Sequence, residues 1–242
     1  NNGALTISPA ALSVTANNTA KTYGQTTTFA GTEFTSSGLQ NGESIGSVTL
    51  TSLGAAATAG VAGSPYAITP SAATGGTFTS GNYTITYNNG SLTISPAALS
   101  VTANNASKSY GQTVTFNGTE FTSSGLQNGE SIGSVSLTSV GAAATANVAG
   151  SPYTITPSAA TGGTFTSGNY TITYNNGSLT ISPAALSVTA NNAAKSYGQT
   201  VTYSGTEFTT SGLQNGESIG SVTLASSGAA ATANVAGSPY AI

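Results

Sequence analysis

The sequence predicts a mainly β protein. It reads as tandem small Gly/Thr-rich β domains, sandwich or grasp-like with at most one short helix each, arranged as an elongated rod. Three observations carry that reading. A unit of 87 residues recurs without insertion, apolar residues inside the unit alternate with period two, and charge is almost absent.

The repeat sets the architecture. The string LTISPAALSVTANN begins at Leu5, Leu92 and Leu179. The charges keep the same period as Lys21, Lys108 and Lys195, as Glu33, Glu120 and Glu207, and as Glu43, Glu130 and Glu217. Residues 10–96 differ from 97–183 at nine positions, among them Thr27 against Val114 and Leu53 against Val140, so the copies point to recent duplication. No shorter period lies inside the 87 residues. That argues against a solenoid, whose rungs recur every ~20–50 residues. Residues 1–9 read as the closing strand of a preceding repeat, 10–96 and 97–183 as repeat domains, and 184–242 as a third that lacks its closing strands. Either the array continues beyond these residues, or strand Leu5–Ser8 of one chain completes another.

Within a unit, Leu12-Ser13-Val14-Thr15-Ala16 places its apolar residues on one face, the mark of a half-buried strand. Val48-Thr49-Leu50, Tyr83-Thr84-Ile85-Thr86-Tyr87 and Leu92-Thr93-Ile94 repeat the scheme. Asn88-Asn89-Gly90-Ser91 carries the Asn-Gly signal of a primed hairpin turn. Tyr23-Gly24-Gln25, Gly63-Ser64-Pro65 and Gly75-Gly76 read as further turns. Ser36–Gly46 reads as a loop or one short helical turn, the glycines opposing a long helix. Its counterpart in the second unit is the Ser123–Gly133 helix of the grasp-like alternative. Pro96-Ala97-Ala98 forms a linker of about three residues with little freedom. Compactness scaling gives roughly 30–40 Å per unit and on the order of 100 Å for the chain.

Composition excludes much. Charged residues make up 4% of the chain, against about 25% in ordinary domains, and net charge is −3. There is no Arg, Asp, His, Cys, Met or Trp. A chain without Arg and of negative charge supplies no basic stripe for nucleic acid. Without His or Cys the usual zinc, haem and iron–sulfur ligands are missing, as are Cys nucleophiles and His-based triads. No apolar run reaches the ~18 residues of a membrane span. Disorder is opposed by 11 Tyr and 7 Phe among regularly placed Val, Ile and Leu.

The stretches NNASKSYGQTVTF, GLQNGESIGSVSLTS and AGSPYTITPSAATGGTFTSGNYTITYNNGSLTISPA resemble the MBG repeats, including their YDG and YGX types. The marks are Lys108-Ser109-Tyr110-Gly111, Gly125–Gly129, Gly168-Asn169-Tyr170 and Tyr174–Leu179. The signature positions are thus Tyr110, Gly111, Gly125, Gly129, Asn169, Tyr170 and Gly177. The chain lacks the acidic residue that a YDG-type repeat places between Tyr and Gly. The resemblance implies mostly-β, Gly-rich domains in tandem within large bacterial surface proteins similar to filamentous-haemagglutinin-type adhesins, and it implies no catalytic residues.

Each sharper chemistry has a plain counterpart. Glu33 and Glu43 match the paired acids of a glycosidase, yet two solvated carboxylates per unit also keep a nearly neutral surface soluble. Lys108 with Glu120 and Glu130 offers the parts of an isopeptide cross-link to Asn, although an exposed lysine is the default. Calcium needs roughly six to eight oxygens, usually with several carboxylates, and two Glu per unit fall short. Asn17-Asn18-Thr19 and similar triplets match glycosylation acceptors, which a Thr-rich chain produces by chance. Thr-rich faces suit ice only as a flat ladder, which strand alternation within a unit does not supply.

The expectation is therefore a non-enzymatic structural spacer in the stalk of a secreted bacterial adhesin, without catalytic, metal or cofactor residues. Its partners are the neighbouring repeats of the same chain, with head-to-tail self-association as a second mode. Host proteins or glycans are met only through other parts of the parent protein. The alternatives are a self-assembling extracellular filament or matrix protein and, third, a carbohydrate-binding module.

Overall fold

A computed structural model describes residues 2–242. Its regular elements are strands joined by short 3-10 turns, with no α-helix among the described residues. In the first repeat the strands are β1 (Ala10–Ala16), β2 (Thr19–Thr22), β3 (Phe34–Ser37), β4 (Ile45–Thr51), β5 (Tyr66–Gly76), β6 (Tyr83–Asn88) and β7 (Gly90–Ser95). They form two sheets. One is three-stranded in the order β3-β1-β6, and the other four-stranded in the order β2-β7-β5-β4.

The second repeat copies this with β8 (Ala97–Ala103), β9 (Ala106–Ser109), β10 (Phe121–Ser124), β11 (Ser134–Thr138), β12 (Tyr153–Thr161), β13 (Tyr170–Asn175) and β14 (Gly177–Ser182). Its sheet orders are β10-β8-β13 and β11-β12-β14-β9. In the third repeat, β15 (Ser187–Ala190) pairs with β16 (Phe208–Ser211). Residues 193–196 and 221–225 carry no strand there.

Period-two alternation buries the residues that the pattern marks. Leu12, Val14 and Ala16 face inward from β1, Val48 and Leu50 from β4, Ile68 from β5, Tyr83 from β6 and Leu92 from β7, and they meet in one cluster. The intervening Thr and Ser face outward, and Ser47 and Thr74 approach across the β4–β5 ladder at 3.2 Å.

Asn88–Ser91 is not the hairpin that Asn-Gly suggests. β6 pairs in parallel with β1, whereas β7 pairs in parallel with β2 and antiparallel with β5. The chain therefore changes sheets at Asn89-Gly90. Asn88 donates to Ser13 Oγ at 2.8 Å, and Ser91 N–H donates to Asn18 Oδ1 at 2.8 Å. A Cβ on Gly90 would collide with the carbonyl oxygens of Ala16 and Asn17. Glycine is needed here for close approach of two backbones, not for a primed turn.

The Ser36–Gly46 and Ser123–Gly133 segments take the loop alternative and hold no helix. Each runs from the end of a strand through a turn, with Asn41 and Gly42 at φ 54° and 72° and Asn128 and Gly129 at the same angles. Successive left-handed residues cannot continue a right-handed helix. One expectation changes here: the linker between repeats is shorter, since Pro96 alone separates β7 from β8.

Leu5–Ser8, expected as a closing strand, carries no strand. Leu5 is 91% exposed and Ile7 87%, while Leu92 and Ile94 of the same string are 0% and 3% exposed. Asn1, the first residue of that expected element, lies outside the described residues. The chain divides into two compact units. One holds the residues up to Ala103 with Gly118–Ser136 and Pro157–Asn175; the other holds Asn104–Asn117, Leu137–Thr156 and Asn176–Ile242.

The burial of Leu92 sets a test. Leu92→Ala should cost about 2–5 kcal/mol, as buried Leu→Ala changes do, and Leu53→Ala, at an exposed position of the same repeat, less than about 0.5 kcal/mol, as exposed substitutions do. Urea denaturation of both variants measures the difference, and equal midpoints would contradict the placement of β7 in the core.

Candidate functional site

Lys21 lies on β2 with its side chain turned inward, and Lys108 holds the equivalent place on β9. They are 8% and 6% exposed, which corrects the expectation of a solvated lysine. Each ammonium is held by backbone carbonyls, so burial does not leave the nitrogen without a partner. Lys21 Nζ donates to Gln25 O at 2.7 Å, to Ala55 O at 3.4 Å and to Ala56 O. Lys108 Nζ donates to Gln112 O at 2.8 Å and to Ala143 O. Desolvation holds both amines below the ordinary lysine pKa. The cage ties the turn after β2 to the 52–57 loop, which also receives Gly24 N–H on Ala57 O and Thr27 N–H on Ala55 O.

The acids have different partners. Glu33 accepts the backbone N–H groups of Ala30 and Gly31 at 2.9 Å each and of Thr32 at 3.1 Å. Those bonds hold its carboxyl below the usual pKa. Glu120 likewise accepts from Gly118 and Thr119. Glu207 adds the Ser204 hydroxyl at 2.7 Å to the same set. Backbone and side-chain bonds from Ser204 bring its pKa down to about 2. Glu120 thus braces a turn and Glu130 binds two tyrosines. These contacts do not join Lys108, Glu120 and Glu130 into one constellation.

Glu130 is the centre of the most elaborate cluster. It follows the Asn128-Gly129 turn and faces two tyrosines. Tyr23 OH, from the turn after β2 of the first repeat, donates to Glu130 Oε1 at 2.7 Å. Tyr170 OH, at the start of β13, donates to Glu130 Oε2. The two rings meet edge to face with centroids 5.5 Å apart, within the favourable range for an aromatic pair. Around them Asn169 Oδ1 accepts Val61 N–H at 2.9 Å, and Asn128 Nδ2 donates to Ala57 O at 3.3 Å. Gly24, at φ 89°, lies so close to Gln127 that any Cβ would strike that side chain. Burial and the Glu130 carboxylate raise the pKa of Tyr23 and push that of Tyr170 up to about 12.

The cluster is a joint between successive repeats, and it recurs. In the second compact unit Tyr110 OH donates to Glu217 Oε1 at 2.6 Å. Asn215 Nδ2 donates to Ala144 O at 3.2 Å, and Gly111 presses on Gln214. Both tyrosine–glutamate pairs are 107 residues apart. Of the signature positions, Tyr110 and Gly111 give the donor corner of a joint, and Gly129, Asn169 and Tyr170 build the receiving face. Gly125, at φ 103°, supports β8 from beside the Ala98 carbonyl. Gly177 begins β14, in register with Ile155. Gln127 and Asn128 were missed at the sequence level as joint residues. Their contacts, to Gly24 and Ala57 of the preceding repeat, join distant parts of the chain and become visible only once the fold is known.

The profile of the MBG domain, YGX type, matches residues 12–93 and 99–180. The chain belongs to this family. No curated protein and no solved structure matches it. MBG repeats are typical of bacterial surface proteins and are non-catalytic, and no catalytic family was found. No described helix is long and apolar enough to cross a membrane.

Two outcomes follow for the ionisable groups of these MBG repeats. Glu207 has a depressed folded pKa, so its contribution to stability is present above the unfolded value of 4.5 and is lost as pH falls through about 2. Carbon NMR of its carboxyl should titrate near 2, and a midpoint at 4.5 would refute the turn bonds. Lys108, with carbonyl partners, should remain an amine. The intact mass is then the sequence mass, and a deficit of one ammonia per repeat would identify an isopeptide cross-link in its place.

Proposed function

We propose that this chain is a spacer segment in the stalk of a secreted bacterial surface adhesin, holding a distal binding domain away from the cell. The observation that carries this reading is the joint: Tyr23 on Glu130, repeated as Tyr110 on Glu217. A single-residue linker at Pro96 leaves two neighbours little freedom, and a joint with the same partners at each step passes a fixed orientation from one repeat to the next. The length of the spacer is then set by the number of repeats. Its working partners are the adjoining repeats of the same chain, and the binding partner of the parent protein is met elsewhere in that protein.

Small-angle scattering over a wide concentration range tests the proposal. The spacer reading expects monomer mass and one unchanging maximum dimension. It also expects Glu130→Gln to broaden the distribution of interatomic distances, because the weakened joint admits more orientations. Mass and length that grow with concentration would replace this reading with the self-assembling filament. A Glu130→Gln curve superimposable on the original would remove the joint from the argument.

A further inference from the structure

The pair Tyr23–Tyr170 has a feature that a spacer does not require. Two phenols from successive repeats share one carboxylate and lie ring against ring, both under a tenth exposed. Elsewhere in the described residues the close aromatic pairs are Phe–Tyr. Oxidation of this chain also has few other places to go. Cys and Met, the side chains that ordinarily take oxidative damage first, are absent, as are Trp and His, which leaves 11 tyrosines as the readily oxidised groups.

We propose that Tyr23 and Tyr170 form an oxidative modification site, in which one-electron oxidation joins them as a dityrosine cross-link and locks the joint covalently. Each phenol loses one electron and its hydroxyl proton. Glu130 is positioned to receive that proton, since each hydroxyl already donates to one of its carboxylate oxygens, the reach that proton transfer needs. The carboxyl then returns the proton to water. The two radicals couple through ring carbons ortho to the hydroxyls, forming one carbon–carbon bond. Each coupled ring recovers its aromaticity as the hydrogen on the bonded carbon shifts to oxygen.

The net change is loss of two hydrogen atoms, as two protons and two electrons. Hydrogen peroxide, activated by a haem peroxidase and acting through small diffusible radicals, accepts both and yields two waters. Electron transfer of this kind needs no grip on the buried rings. A tyrosine hydroxyl is protonated in neutral solution, so a proton acceptor beside it matters. The chain contains no cysteine, and dityrosine supplies the covalent staple that disulfides give other extracellular proteins.

The test uses the full chain, dilute and monomeric, with photolysed ruthenium tris-bipyridyl and persulfate as the outer-sphere oxidant. After denaturation, trypsin cuts at Lys21, Lys108 and Lys195, so Tyr23 falls in peptide 22–108 and Tyr170 in peptide 109–195. The expected product is these two peptides joined, lighter than their sum by two hydrogens, with fragment ions that place the bond between Tyr23 and Tyr170. Tyr23→Phe should abolish the joined species, and Glu130→Gln should lower its yield at unchanged circular dichroism. Fragment ions from the unaltered chain locate the bond even if a variant folds poorly. Peptides that stay separate, a bond at other tyrosines, a joined species that survives Tyr23→Phe, or cross-links found only between two chains would each overturn the site. An unchanged yield in Glu130→Gln would overturn the proton-accepting role of Glu130.

Discussion

The rest of each repeat leans on the insertion of its seventh strand. β7 lies between β2 and β5, so β2 has no ladder partner other than β7. Through β2 the dependence spreads: β2 carries Lys21, Lys21 gathers the carbonyls of the 52–57 loop, and that loop fixes the corner from which Tyr23 reaches Glu130. The driving force is burial of Leu92 and Ile94, each worth roughly 1.5–3 kcal/mol when fully removed from water. In the third repeat Lys195 makes the same bonds, to Gln199 O and Ala230 O.

A chain with nine charges places them against dipoles. Lysines meet backbone carbonyls, the first glutamate of each repeat meets backbone N–H groups, and Glu130 and Glu217 meet tyrosine hydroxyls. Such bonds are strong because one partner is ionised. They are also directional, which a pair of exposed opposite charges is not. Directional bonds suit a joint, where relative orientation is the property to be kept. The uncharged Thr and Ser faces then need only be soluble.

Legibility differed by element. β1, β4, β6 and β7 were readable because alternation reports which face is buried, and that property is local. Sheet membership was not. Asn-Gly at 89–90 carries the same letters in a hairpin and in a change of sheet. The choice falls to β1, which claims β6, and to β2 and β5, which claim β7. The lysines were misjudged for a related reason: a strand alternation of four residues is too short to show that the inward position is filled by a charged group. The signature glycines and tyrosines were legible as marks, but their meeting across repeats was not, because contacts 107 residues apart leave no periodic trace.

The sequence by itself determined the 87-residue repeat, the all-β character, the lack of His and Cys chemistry and the face each strand buries. Those follow from spacing and composition, which do not depend on where the chain runs next. Only the tertiary structure decided what equal letters become. Asn89-Gly90 has the letters of a hairpin turn, yet the chain changes sheets there, because β6 pairs with β1 while β7 pairs with β2 and β5. A strand is made by the ladders and apolar surfaces on either side of it, and those neighbours are supplied by the fold and not by the strand's own residues.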